Sequence, residues 1–183
     1  MVKRKTCVFI SGKGTNLKNL ISQSRDSSFP IIISLVISNN KKADGLKFAK
    51  KYKIPNICIS TNNRLYENEI LLNLKKYNIT FICLAGYMKI ISNKLIKKYQ
   101  KKIINIHPSL LPKFKGLNTF AKMIKNKEKK AGCTVHYVTE ELDSGEIILQ
   151  GEVPIKPDDT VESLTRAVHM KEWALLPAAV DML

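Results

Sequence analysis

The sequence predicts an α/β fold: a mostly parallel central sheet with helices on both faces, finished by a carboxyl-terminal antiparallel hairpin. Three observations predict it. Up to Pro112, short β-rich runs alternate with segments of helical spacing, the pattern of parallel strands joined by right-handed crossovers. Beyond Pro112 the alternation stops, and two apolar runs flank the turn-like "EELDSG". The composition, 44% hydrophobic and 25% charged over 183 residues, is that of a folded chain, and the length suits one domain spanning 1–183 with a core of ordinary size.

Each element has a local reason. "TCVFIS" (6–11), "IIISLVIS" (31–38), "NICIS" (56–60), "ITFICLA" (79–85) and "KIINI" (102–106) are rich in β-branched and aromatic residues and bounded by Gly, Pro, Asn or Ser, which marks strands. Between them, 16–24, 44–52, 63–77 and 92–100 carry apolar residues at helical spacing. A short helix is expected near 118–127, then "GCTVHYVT" and "GEIILQGEV" as the hairpin. A last helix starts at the cap Asp159-Thr160 and runs toward the end of the chain, with Pro177 expected to kink or break it.

Charge narrows the function. The formal net charge is +16, but residues 1–130 hold 28 of the 31 Lys+Arg and 5 of the 15 acids, while 131–183 hold 3 and 10. The two parts therefore carry +23 and −7. The arginines are Arg4, Arg25, Arg64 and Arg166, whereas base readout and phosphate clamps favour Arg. The lysines travel with Ile and Asn, so they read as a solvated face before a nucleic-acid stripe; a positive half can still draw in small anions. Cys7, Cys58, Cys83 and Cys133 lie far apart in apolar runs, which predicts buried, reduced thiols and no metal site. The N-terminal apolar run breaks at Ser11-Gly12 and no run approaches a membrane span. A cytoplasmic protein without membrane or nucleic-acid partners is expected.

Sites in open α/β sheets gather at the carboxyl ends of the parallel strands. The first strand end offers "SGKGTN" (11–16). Gly12 and Gly14 permit a tight turn, and Thr15 and Asn16 can cap a helix whose free N–H groups suit an anion. There is no Walker spacing, and Leu17 replaces the third glycine of a dinucleotide fingerprint. Taken alone, the turn serves equally well as a bare strand-to-helix connection; as a site, it suits a monophosphate better than a dinucleotide.

The fifth strand end offers "NIHPSLLPKFKG" (105–116). Residues two apart on a strand share a face, so Asn105 and His107 can enter one cleft while Ile104 and Ile106 pack in the core. Pro108 holds His107 extended. An amide can donate to an oxyanion and an imidazole can exchange a proton near neutral pH. A lone N-x-H is more often structural than catalytic. Asp143, in the turn "LDSG", is the candidate third member: facing His107, it would favour the charged imidazole and order a water. The same Asp serves a turn without any catalysis.

The strings "ISGKGTNL", "LAGYMKIIS", "INIHPSLLPKFKGLNT", "AGCTVHYVTEELDSGEIILQ" and "VHMKEWALLP" together closely resemble the glycinamide ribonucleotide formyltransferases, folate-dependent enzymes of purine synthesis. The likeness runs in unbroken order from about residue 7 to 181. It implies a Rossmann-like formyltransferase fold and transfer of formyl from 10-formyltetrahydrofolate, a cosubstrate, to 5-phosphoribosylglycinamide. It also implies Asn105, His107 and Asp143 as the catalytic trio. Gly14, Thr15 and Asn16 would lie around the substrate phosphate and Glu172 near the substrate amine. Arg64, Met88, Lys89, Ile90 and Ile91 would contact folate, with Asn105 and the loop Thr139, Glu140, Glu141, Leu142 and Asp143 over the pterin. Without the likeness, Glu172 and Arg64 read as solvated charges and Met88 to Ile91 as core. A monomer or weak homodimer acting on small molecules is expected.

Three departures bear on loop contacts: Lys89 stands where many relatives carry Arg, and Asn118 and Phe120 where some carry His. Two sister activities compete, methionyl-tRNA formyl transfer and formyltetrahydrofolate hydrolysis. The tRNA enzymes normally carry an added carboxyl-terminal domain and the hydrolases an amino-terminal one, for which 183 residues leave no room. A basic nucleic-acid binder is the third alternative, suggested only by the charge.

Overall fold

The computed structural model describes residues 2–62 and 65–183, so the expected folate contact Arg64 lies outside the described residues. Strands β1 (Arg4–Ile10), β2 (Ile31–Ser38), β3 (Asn56–Cys58), β4 (Phe81–Leu84), β5 (Ile103–His107), β6 (Lys130–Tyr137) and β7 (Ile147–Pro154) form a seven-stranded sheet in the order β3-β2-β1-β4-β5-β6-β7. β1 to β5 pair in parallel, and β6 and β7 are antiparallel. The helices are α1 (Thr15–Ser24), α2 (Gly45–Lys51), α3 (Tyr66–Lys76), α4 (Asn93–Lys98), α5 (Thr119–Lys125) and α6 (Val161–Asp181).

Period-2 alternation along β1 builds two cores. Val8 and Ile10 join Leu17, Leu20, Val168 and Leu176 on one face, while Cys7 and Phe9 join Ile70, Leu74, Leu95 and Ile96 on the other. With both faces covered, the central strands can be apolar throughout. The order of strands reverses between β1 and β4, and the crevice outside their carboxyl ends is where such a sheet binds ligands. There the two loops are tied together: Ser11 N–H donates to the Gly86 carbonyl at 3.1 Å and Met88 N–H to Ser11 Oγ at 2.8 Å.

Three expectations need correction. The last helix does not break at Pro177; α6 runs through it, from a Thr160 capping box to Asp181. Proline cannot donate to the carbonyl four residues back, but Asn19 Nδ2 of α1 donates to that Trp173 carbonyl instead, and the buried Leu175, Leu176, Pro177 and Val180 hold the turn in place. Thr15 and Asn16 do not cap α1; they lie inside it, and the cap position is Gly14 in the left-handed conformation, with no side-chain cap. Cys58 is exposed on the short edge strand β3, unlike the buried Cys7, Cys83 and Cys133.

Gly14 and Gly45 show how tightly the first loop is packed. Gly45 N–H donates to the Gly12 carbonyl at 3.0 Å, and a Cβ on Gly45 would stand 2.6 Å from Ile10 Cδ1 and 2.9 Å from Gly14 Cα. Alanine gains at most about 1 kcal/mol in helix propensity, whereas forcing a methyl against backbone costs about 1–3 kcal/mol. The clash should win. Gly45→Ala is expected to lower stability in urea unfolding; an equal or higher midpoint would show that the β1–α1 loop yields freely.

Candidate active site

A cleft of about 1010 Å³ opens at the carboxyl ends of β1, β4 and β5 and is lined from four directions. The first wall is the β1–α1 loop, Gly12 to Asn16; the second is 84–91 after β4; the third is Asn105 to Pro108 with Gly116 to Phe120; and the fourth is Val138 to Asp143, with His136, His169 and Glu172 behind it. Every site residue expected from the sequence and described here therefore lines one cavity.

Asn105 and His107 share a face of β5, as the strand period requires, with Ile104 and Ile106 buried behind them. The chain then folds back under control of Thr134 on β6. Its Oγ1 donates to the Ser109 carbonyl at 2.6 Å and accepts from Leu111 N–H at 3.1 Å. That return brings the Phe114 carbonyl to His107 Nε2 at 2.9 Å. Asp143 Oδ2 stands 3.3 Å from His107 Nδ1 and accepts from Gly116 N–H at 2.9 Å. A carbonyl can only accept, so in this arrangement Nε2 carries a hydrogen, and the Asp143 carboxyl group faces the other ring nitrogen. The two loops reach this arrangement through left-handed residues: Phe114, Gly116, Asn118 and Asp143 all have φ between 49 and 77°.

His136 was not anticipated from the sequence. Antiparallel pairing sets it directly opposite Asn105, and its Nε2 lies 3.2 Å from Asn105 Nδ2 while its Nδ1 lies 2.9 Å from the Tyr137 carbonyl. The carbonyl fixes the hydrogen on Nδ1, leaving Nε2 as the acceptor for the amide. Burial pushes the His136 pKa down, with the Tyr137 carbonyl and Asp143 opposing. The ring is therefore a neutral acceptor, and its 3.7 Å approach to Asp143 Oδ1 is not an ion pair. Its effect is to orient the Asn105 amide. Only the β5–β6 register reveals this; in the sequence His136 is one residue of a strand-like run, two positions after Thr134. His169 was also missed; its ring packs edge-on against Phe120 at 6.3 Å, and burial and the nearby Lys13 charge lower its pKa.

The wall at the start of α1 differs from expectation in one respect. The Asn16 side chain turns away from the loop and donates from Nδ2 to Glu172 Oε2 at 2.8 Å. What remains at the start of α1 are main-chain N–H groups with no side-chain cap, which suit an anion. Asn16 Oδ1 is buried without a partner among the described residues. Glu172 is not the solvated acid that its local sequence suggested: it is buried, and burial pushes its pKa up to about 7, with the Asn16 hydrogen bond opposing. An amide serves either form, donating to the carboxylate or, flipped, accepting from the acid.

On the opposite wall, Met88 is 61% exposed, Ile90 76% and Leu142 52%, so these apolar side chains are open cleft surface and not core. Ile91 is buried. Lys89 lines the cleft, as do Thr139, Glu140 and Glu141. Among the described residues no group of His, Cys, Asp or Glu could hold a metal ion, and no helix is long and apolar enough to cross a membrane.

The raised Glu172 pKa has a sign that can be checked. Below 4.5 the group is neutral folded and unfolded; between 4.5 and about 7 the unfolded chain ionises while the folded one keeps its proton. Stability from this group is thus full at low pH and lost as pH rises through that window, by on the order of 3 kcal/mol. Urea unfolding at about pH 5 and about pH 8 should show wild type losing ground to Glu172→Gln at the higher pH. A pH-independent difference between the two proteins would mean that Glu172 ionises normally.

Comparison with known proteins bears on the whole chain. A model of the family described as formyl transferase matches residues 4–180. A phosphoribosylglycinamide formyltransferase of Haemophilus influenzae is 40% identical, covering 97% of this chain and 85% of the relative. A trifunctional purine biosynthetic protein of Drosophila melanogaster is 41% identical over 99% of the chain, which spans 14% of that relative's length. The crystal structure of phosphoribosylglycinamide formyltransferase from Anaplasma phagocytophilum superposes with a TM-score of 0.91 at 41% identity, covering 98% of this chain and 86% of that one. That from Brucella melitensis gives 0.94 at 38% identity, covering 99% and 95%. The chain belongs to the formyl transferase family.

Proposed function

We propose that residues 1–183 form one catalytic unit that transfers the formyl group of 10-formyltetrahydrofolate to the amine of 5-phosphoribosylglycinamide, giving formylglycinamide ribonucleotide and tetrahydrofolate in purine biosynthesis. The observation that carries it is the meeting of His107 and Asp143 at 3.3 Å beside the oriented Asn105 amide. The names of the relatives support the choice of substrates. On a cleft of this shape the unit acts on small molecules, in the cytoplasm, as a monomer or weak homodimer.

The substrate phosphate sits on the free N–H groups of α1, from Gly14 to Asn16, where the helix dipole favours an anion. Glu172, with the under-satisfied Asn16 amide beside it, accepts hydrogen bonds from the amine end. Folate lies on the opposite wall, its flat rings against Met88, Ile90 and Leu142 and its polar edges toward Lys89, Ile91, Thr139, Glu140 and Glu141; Arg64 remains part of this proposal. The amine nitrogen attacks the formyl carbon. Negative charge grows on the formyl oxygen and is met by the second N–H of the Asn105 amide, whose first is held by His136, with the His107 ring alongside supplying positive charge. The attacking nitrogen loses a proton and the folate nitrogen gains one as its bond to carbon breaks. A water ordered by Asp143 can relay that proton. Donors alone suffice for this chemistry, without an enzyme nucleophile.

The deciding experiment follows formyl loss from 10-formyltetrahydrofolate with and without the ribonucleotide. Transfer only when the ribonucleotide is present is expected; formate release in its absence would indicate a hydrolase. Asp143→Asn keeps a turn-forming residue but removes the charge that favours the imidazolium. It is expected to lower kcat by about a hundredfold or more, with a much smaller change in ribonucleotide affinity. A wild-type kcat, or an unmoved His107 titration by NMR, would return Asp143 to a turn role.

A further inference from the structure

Asp143 sits at the crossing of two loops, and the side chain that ties them from outside is Lys115. Its Nζ donates to Ser144 Oγ and lies 3.4 Å from Glu141 Oε1. Ser144 Oγ in turn donates to the Leu142 carbonyl at 3.0 Å. The ammonium therefore grips the chain on both sides of Asp143, at 141 and at 144. The next residue, Gly116, supplies the N–H that holds Asp143 Oδ2, and the preceding one, Phe114, supplies the carbonyl on His107 Nε2. Three consecutive residues thus address the carboxylate, its loop and the imidazole.

We propose that Lys115 is a positioning residue that acts through Asp143, clamping the 139–145 loop onto the 109–118 loop so that the carboxylate faces His107. The inference rests on the catalytic role proposed for the Asp143–His107 pair. Asp143 has a φ of 49°, which a non-glycine residue holds only when its surroundings enforce it. Ser144 and Lys115 beside it hold the Glu141 carboxyl below its usual range. Other lysines touch the same acidic segment, Lys97 at Glu140 and Lys101 at Glu146, at 3.6 and 3.9 Å. They come from α4 and the turn before β5, not from the 109–118 loop. Lys115 is the lysine whose own backbone neighbours complete the site.

The test uses Lys115→Met, which keeps the stem and removes the ammonium, with Lys115→Arg as the charge-keeping variant. Lys113→Met serves as the control: it lies in the same loop but pairs with Glu128, away from Asp143. Formyl transfer should show kcat reduced about tenfold in Lys115→Met with ribonucleotide KM within about twofold, and most of the loss recovered in Lys115→Arg. In an Asp143→Asn background the Lys115→Met change should cost less than about twofold more, because residues acting as one unit are not additive. A wild-type kcat in Lys115→Met beside a crippled Asp143→Asn would overturn the inference and leave the pair's role intact. So would an equal loss in Lys113→Met, or full additivity with Asp143→Asn. A near-wild-type Asp143→Asn would remove the catalytic role of the pair, and this inference with it.

Discussion

The carboxylate of Asp143 is the constraint on which the site depends. It is 9% exposed, and a buried carboxylate is tolerated only where charge and hydrogen bonds replace the water it has lost. Those replacements come from a stretch of chain far from Asp143 in sequence: the Gly116 N–H and His107 Nδ1. Neither can be offered unless the 109–118 loop has returned under Thr134 and the hairpin has folded over the end of β5. The charge thus makes the closed arrangement of two loops and a strand end a condition for burying it at all, and the left-handed conformations at Phe114, Gly116, Asn118 and Asp143 are maintained by that condition.

The same geometry divides two histidines between opposite tasks. Both have one ring nitrogen on a backbone carbonyl, which settles where one hydrogen lies. His107 faces a carboxyl group with the other nitrogen, whereas His136 meets an amide N–H and is served best as a neutral acceptor. The cleft face of β5 therefore carries an oriented amide and a carboxyl-facing imidazole side by side, both held by groups of the chain itself.

The uneven charge of the chain also finds a local use. The acidic segment 140–146 meets lysines from the positive portion of the chain, Lys97 at Glu140, Lys101 at Glu146 and Lys115 at Glu141. The Lys97 and Lys101 pairs are exposed on both partners, so each is weak and screened by salt. Their value is directional: they guide an acidic loop onto a basic frame. At the other end of the cleft, α6 is continuous where a proline should interrupt it, because α1 supplies the missing donor through Asn19. This keeps Glu172, one residue before the freed carbonyl of Trp173, on a rigid helix facing Asn16.

The sequence by itself determined the layered architecture, because alternation of period 2 and of helical spacing reports burial locally: all five parallel strands and the closing hairpin fall where their apolar runs lie. It also brought Asn105 and His107 to one face, since that follows from strand geometry alone, and the likeness of its motifs to the formyltransferases supplied the pairing with Asp143. Other features were decided only in three dimensions. His136 needed the β5–β6 register, which no local pattern records. Pro177 reads as a helix breaker until Asn19 stands beside it, and Asn16 reads as a cap until Glu172 draws its amide away. Glu172 itself reads as a surface acid; its burial comes from packing α6 against α1. In each case the determining partner lies far along the chain, and a hydrogen bond between distant residues leaves no periodic trace in either segment.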